Sequence, residues 1–331
     1  MKQNNAFLSY IHNFRGIAIF YIVAGHCISA FDWQYAPFLG RIIRMLLGNG
    51  TVFFVFIAGY LFQYLSHKYK PKKYLFTKLT TVLLPYLLVS IPAIVYFVFF
   101  QQRETVWPGF YDNPHWLQVI YFYLTGLHLA PFWFIPMICL FYIISPVLYA
   151  LDKHKVSYLL LPFLILLSCN YPRGDVLQSF VHFLSVYFFG MYLSHYRESI
   201  NGFLIKATTI FLLTAIYLSL LYFEYIFENI VYLNFIRKLI LCCIFIGLLL
   251  VFDIKYKPLE LLAEWSFGIF FIHSYIITLF KLTEQKFLGH ILIGNIPLFI
   301  FFVALIFSIC LLIVGLLKKI FGNKTKYIIG C

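Results

Sequence analysis

The sequence predicts an all-α fold: a polytopic transmembrane helical bundle of about ten spans, with both termini cytoplasmic. Three observations carry this. Of the 331 residues 63% are hydrophobic and only 11% charged, against about 45–50% and about 25% in soluble domains. The apolar residues run in continuous stretches long enough to cross a bilayer as helix, and they do not alternate as barrel strands would. The formal charge of +13 falls in short clusters between those stretches, where a positive-inside bias places it. Too little charge remains to coat a soluble fold of this size. That excludes a water-soluble enzyme, a disordered tail and a nucleic-acid reader.

The ten stretches are 10–31, 42–65, 75–100, 131–151, 156–169, 176–195, 203–223, 233–252, 259–281 and 291–317. About 20 helical residues cross a core of about 30 Å, so the fifth, being short, reads as a full span or a half-span. The first carries Arg15 and His26 and lacks a small-residue cleavage site, which makes it a permanent helix rather than a signal peptide. The longest polar break, 101–130, reads as an outer loop. No soluble second domain, internal repeat or low-complexity linker is visible, so residues 1–331 read as a single membrane domain.

Ten spans place both termini on one side, and the basic residues choose which. Sixteen of the 25 Lys and Arg residues fall on the side of the termini, in clusters led by Lys2, Lys68–Lys78, Lys153, Arg197, Lys255 and Lys318. Eight fall opposite: Arg41, Arg44, Arg103, Arg173, Arg237, Lys238, Lys281 and Lys286. The two-to-one bias puts the termini inside. The seven cysteines lie mostly within apolar runs, without metal-ligand spacing, and read as small buried hydrophobes. No metal site is expected.

Ionisable residues inside spans cost about 2.5–3.5 kcal/mol on insertion scales and are functional candidates by default. Arg15 and His26 are the sharpest pair. Eleven residues apart, they sit about 16 Å from each other along a helix and on nearly one face. That reading puts Arg15 near the inner boundary and His26 at mid-membrane. A guanidinium there can bind phosphate and a deeper imidazole can act as general base. Alternatively Arg15 snorkels to lipid phosphate and His26 only hydrogen-bonds between helices.

The run Ile11-His12-Asn13-Phe14-Arg15-Gly16-Ile17-Ala18, followed by Gly25-His26, resembles the opening motif of the acyltransferase 3 family of membrane acyltransferases. Phe53 through Leu61 is similar to that family's second-helix signature, Lys78 through Pro85-Tyr86 to its basic lead-in to the third helix, and Trp133-Phe134 with Tyr142 and Pro146 to its Trp-Phe helix. Ser266 through His273 resembles its late Ser-Tyr-Gly-Ile-Tyr-Leu-Ile-His block. The ordered set covers most of the chain. Three positions depart from the pattern: His12 stands where the family usually has Asp, Ala58 where it has Ser, and Thr81 near a frequent second Arg.

The resemblance implies transfer of an acyl group, most often acetyl, from cytoplasmic acyl-CoA to a hydroxyl of a cell-envelope glycan or glycolipid, in the bacterial cytoplasmic membrane. His26 is then the catalytic base. Arg15, with Lys72, Lys73 and Lys78, is the expected site for the CoA phosphates, and His273 a second imidazole that orients His26, holds the acceptor or ties helices together. Acyl-CoA enters as a substrate, and no permanently bound cofactor is expected. A separate envelope-biosynthesis partner completes the transfer, or donor and acceptor meet directly in the membrane. The rival reading is a glycan or solute carrier without acyl chemistry, against which stands the lack of two related halves.

Other residues have plainer readings. Clustered lysines beside spans fix topology or touch anionic lipid. His182 reads as structural, and Glu260 with Glu264 as helix-end charges rather than an acid/base pair. Trp107 and Trp116 with Asp112 form a sugar platform or an interfacial belt. Glu224 and Glu228 read as a solvated edge.

Overall fold

The computed structural model describes residues 7–227, 231–254 and 256–331. Lys2, Glu228 and Lys255, counted above, lie outside the described residues. The described chain is helical, and its one isolated β-bridge joins Asp32 to Ile293.

The chain rises and falls through the bundle. Helix α1 (Ser9–Cys27) leads through a 3-10 turn to α2 (Pro37–Leu47) and α3 (Thr51–Tyr64); α4 (Pro71–Lys78) continues through a π-turn into α5 (Leu84–Phe99). After α6 (His115–Thr125) come the pair α7 (Phe134–Ile143) and α8 (Ser145–Asp152), then α9 (Leu161–Asn170), α10 (Val176–His195) and α11 (Arg197–Leu204). The remainder is α12 (Ala207–Ile226), α13 (Val231–Phe252), α14 (Lys257–Glu264), α15 (Ser266–Leu288), α16 (Ile296–Phe321) and α17 (Thr325–Ile328). Proline opens α2, α4, α8, α14 and α16 in their first two positions, where its missing N–H costs no hydrogen bond.

Eight described helices are long and apolar enough to cross a membrane, and α7 with α8, bent by 56° at their junction, makes a ninth if counted as one span. The predicted fifth stretch is the shorter apolar helix 155–170. All ten stretches thus fall on helices, though the second is interrupted at 48–50 between α2 and α3 and the fourth bends between α7 and α8. The ninth breaks at Trp265 into α14 and α15. The tenth starts five residues late, because 292–294 run extended beside Asp32, whose N–H donates to the Leu292 carbonyl.

Two packing features position the site. Helices α3 and α10 cross almost backbone to backbone: a Cβ on Gly59 would lie 2.0 Å from the Tyr187 carbonyl, and one on Gly190 would lie 2.2 Å from that of Phe56. Small residues are what permit such a crossing in lipid, where dispersion and not hydrophobicity drives association. By contrast α12 buries only Thr209 and is apolar all round, as a lipid-facing helix must be.

Contacts sort the loops into two ends. Tyr10 hydrogen-bonds Tyr60 at 2.8 Å, Asn13 the Ile254 carbonyl at 2.6 Å, and Glu264 pairs with Lys318 at 2.7 Å. With Gln63 donating to Asp152 at 3.3 Å, these gather the lysine clusters of 68–73, 153–155 and 318–326 at the end where α1 begins. The opposite, loop-rich end is tied by Arg41 to the Tyr225 carbonyl and by Arg103 Nε to the Leu127 carbonyl at 2.7 Å.

Candidate functional site

Helix α1 connects the two ends and carries Arg15 near one and His26 near the other, about 16 Å apart along the axis. His26 lies toward the loop-rich end of the bundle. It occupies the last turn of α1, at the loop-rich end, because the helix stops at Cys27 and the 3-10 turn that follows runs into the Asp32 bridge.

Two cavities meet at His26. One, of about 300 Å³, is lined by Phe97, Arg103, Ser274, Thr278 and Lys281 together with His26. The other, of about 180 Å³, is lined by Gly25, Asn49, Trp133, Arg173, Phe270 and again His26. Ala130 also borders both. The His26 ring makes no hydrogen bond to a described residue.

His273 stands against it, with ring centroids 5.4 Å apart and planes inclined by 44°. His273 is fully buried on α15, and its Nδ1 lies 3.0 Å from the Ile269 carbonyl. A carbonyl only accepts, so Nδ1 carries the proton. Nε2 is then an acceptor, buried and without a partner among the described residues. Buried polar atoms are rarely left so.

At the other end Arg15 is half-buried within electrostatic reach of Tyr142, Cys331 and Lys78. The Lys78 ammonium lies 5.4 Å from the Tyr74 ring centroid and 5.2 Å from that of Tyr142. Neither cation forms an ion pair among the described residues. Lys72 and Lys73 do not join them: both are exposed on α4. The helical repeat accounts for this, since Tyr74 shares the Lys78 face while Lys72 and Lys73 lie roughly 120–140° around.

The readings of Arg237, Lys238 and Glu224 need correction. Arg237 and Lys238 are not outer-loop charges but fully buried within α13. Arg237 Nε pairs with Glu224 at 2.8 Å and its NH1 donates to Tyr217 at 2.9 Å. Its NH2 reaches the Met45 carbonyl at 2.5 Å, and Lys238 reaches that of Leu46 at 2.7 Å. Two cations thereby satisfy the orphan carbonyls at the end of α2 and fix residues 47–51, which line the smaller cavity. Glu224 is consequently no solvated edge. Its carboxylate also accepts from Asn234 at 2.8 Å. The signal was present: both cations lie inside the predicted stretch 233–252, where ionisable residues are suspect.

Sequence reasoning also missed a buried cluster at the lysine-rich end. Asp152 Oδ1 lies 2.8 Å from His195 Nδ1 and accepts from Tyr158 at 2.6 Å. It ties α8 to α10. The remaining readings find plain places. His182 bonds the Ser168 and Tyr171 carbonyls, and the hydrogen bond from Lys318 holds the Glu264 carboxyl below the usual carboxylate range. Glu260 is exposed. Trp107 packs on Phe110 and Tyr121, Trp116 is exposed, and neither lines the cavities at His26. The seven cysteines are free.

A family model described as an acyltransferase domain matches residues 8–315. That span holds Arg15, Lys78, His26, Arg173 and His273. No curated protein and no solved structure matches the chain.

Proposed function

The chain belongs to the acyltransferase 3 family, and from that premise we propose that it moves an acyl group, most simply acetyl, from cytoplasmic acyl-CoA to a hydroxyl of a cell-envelope glycan or glycolipid in the bacterial inner membrane. The observation that carries the reading is His26, at the meeting point of two cavities and backed by His273. Two cavities accommodate two reactants, and a neutral imidazole between them is placed to move a proton.

The chemistry follows. One nitrogen of His26 takes the proton of the acceptor hydroxyl as its oxygen attacks the thioester carbonyl. The tetrahedral intermediate collapses, the C–S bond breaks, and the CoA sulfur leaves with the proton held by His26. The Nε2 acceptor of His273 is suited to orient the base while it is charged. At the far end of α1, Arg15 and Lys78 are cations without acidic partners among the described residues, the arrangement a polyanionic donor requires. The extended pantetheine arm of CoA is comparable in length to the Arg15–His26 separation. The lysine clusters at the Arg15 end support placing that end in the cytoplasm.

The test uses purified protein in nanodiscs, with acetyl-CoA radiolabelled in the acetyl group and an envelope glycolipid extract. Alkali-labile label should pass to the glycolipid, and His26→Ala should lower that rate about 10²–10⁴-fold while inserting normally. Transfer by His26→Ala at the parental rate would sink the assignment. Loss of glycan export in cells lacking the gene, with glycan acylation intact, would favour a carrier instead.

A further inference from the structure

The proposed reaction leaves unexplained a cation that faces the smaller cavity. Arg173 lies on the short connection between α9 and α10, and it alone among the described residues lining that cavity carries a full charge. It is within electrostatic reach of His26. Its guanidinium carbon sits 4.8 Å from the ring centroid of Trp133, which is itself stacked on Phe183 at 6.1 Å.

The segment that presents Arg173 is fixed at both ends. Before it, the Tyr171 carbonyl accepts from His182 Nδ1 at 3.0 Å, and Ser168 Oγ donates to the His182 carbonyl at 2.7 Å. After it, Asp175 caps α10: its Oδ1 accepts from the Gln178 N–H at 2.8 Å, and its own N–H donates to Gln178 Oε1 at 3.2 Å. Gly174 leaves the room this box needs, since a Cβ there would lie 1.6 Å from that Oε1. The nearest carboxylate in sequence is therefore committed to the helix cap, and no described carboxylate pairs with Arg173.

A guanidinium held over an aromatic face keeps its edge donors free, and those donors match carboxylate and phosphate oxygens. The CoA phosphates do not answer this cation, because on the proposed reading they lie at the Arg15 end of α1. Resting on that reading, we infer that the acceptor is an acidic glycan, whose carboxylate or phosphate is gripped by Arg173 so that a neighbouring hydroxyl meets His26. The smaller cavity then selects the acceptor, and the larger one, lined by Arg103, Lys281 and the amides of Gln101, Gln102 and Gln285, remains for the rest of the reaction partners.

The test is a binding measurement, so that it stands apart from turnover. Purified protein in nanodiscs is titrated with a galacturonic acid trisaccharide and with its carboxyl-reduced, neutral counterpart, and with glucose 1-phosphate against glucose. At least one acid should bind the parent roughly tenfold or more tightly than its neutral partner, the scale of one charge-assisted contact. Arg173→Gln should erase that preference, leaving neutral-sugar binding unchanged, and Arg173→Lys should keep part of it. Equal binding of acid and neutral sugars by the parent overturns the inference. So does a preference that survives in Arg173→Gln, which would reduce Arg173 to a lipid-headgroup anchor. Acid-selective binding without acyl transfer from acetyl-CoA would instead count against the transferase reading and leave the anion site standing.

Discussion

His273 and His26 face each other across α15 and α1 at 5.4 Å between ring centroids, and the fixed tautomer of His273 turns an acceptor nitrogen loose in that buried space. An imidazole that gains a proton during reaction benefits from such a neighbour. We expect His273→Leu to lower kcat by about 10–100-fold, the cost of losing an orienting partner, and to displace the acid limb of the pH–rate profile. Acceptor KM should change little. An unaltered pH profile, with only lower protein yield, would mean that His273 serves packing alone.

Arg15 and Lys78 should act on the donor. Each lacks a carboxylate partner among the described residues, and a charge-assisted bond to phosphate is worth about 1.5–3 kcal/mol, or about 10–150-fold in Kd. Arg15→Ala should weaken CoA binding on this scale, and Arg15→Lys should restore it only in part, since an ammonium lacks the planar fork. The exposed Lys72 and Lys73 should tolerate replacement by Gln with CoA affinity unchanged. Calorimetric titration of CoA into the four variants checks the ranking.

The fold was largely legible because bilayer thickness sets helix length, and runs such as 176–195 and 233–252 could be little else. What escaped was whatever depends on partners distant in sequence. Arg237 and Glu224 are thirteen residues apart, yet they become a pair only because α12 returns beside α13. The Met45 carbonyl that Arg237 satisfies is 192 residues away. Motif reading singled out Arg15, His26 and His273, but not the two cavities that meet at His26, since helix length alone does not say where the bundle opens. Arg173 was visible only as one loop charge among eight. Its significance lies in Trp133 beneath it and in a capping box that occupies Asp175.

The Arg237–Glu224 pair yields a stability prediction. Breaking a buried pair from one side typically costs about 3–5 kcal/mol, here with the carbonyls of α2 losing a donor as well. Arg237→Met should lower the melting temperature in detergent sharply and reduce transfer by loosening residues 47–51 beside His26. Arg237→Met combined with Glu224→Leu should recover part of the loss, because no uncompensated carboxylate then remains. Strictly additive effects of the two substitutions would contradict the pairing.

His128 makes the protein acid-sensitive on the cavity side. It is fully buried on the connection after α6, with Nδ1 donating to the Phe122 carbonyl at 3.2 Å and Nε2 accepting from Ser90 at 2.9 Å. Burial pushes its pKa down to about 3, from about 6.5 in an unfolded chain. Above pH 6.5 both states are neutral there and stability does not depend on this group. Below it the unfolded chain takes up a proton that the folded one refuses, so stability falls by about 1.4 kcal/mol per pH unit until the folded imidazole protonates near pH 3. Since His128 anchors the segment leading to Ala130 and Pro131 at the cavities, loss of activity on acidification should accompany the loss of stability. His128→Gln keeps hydrogen-bonding capacity without a titrating ring; it should lower stability at pH 7 but flatten the decline between pH 6.5 and 4. Melting curves of both proteins across that range, read beside transfer rates, check it, and a parallel decline in the two would assign the acid sensitivity to other groups.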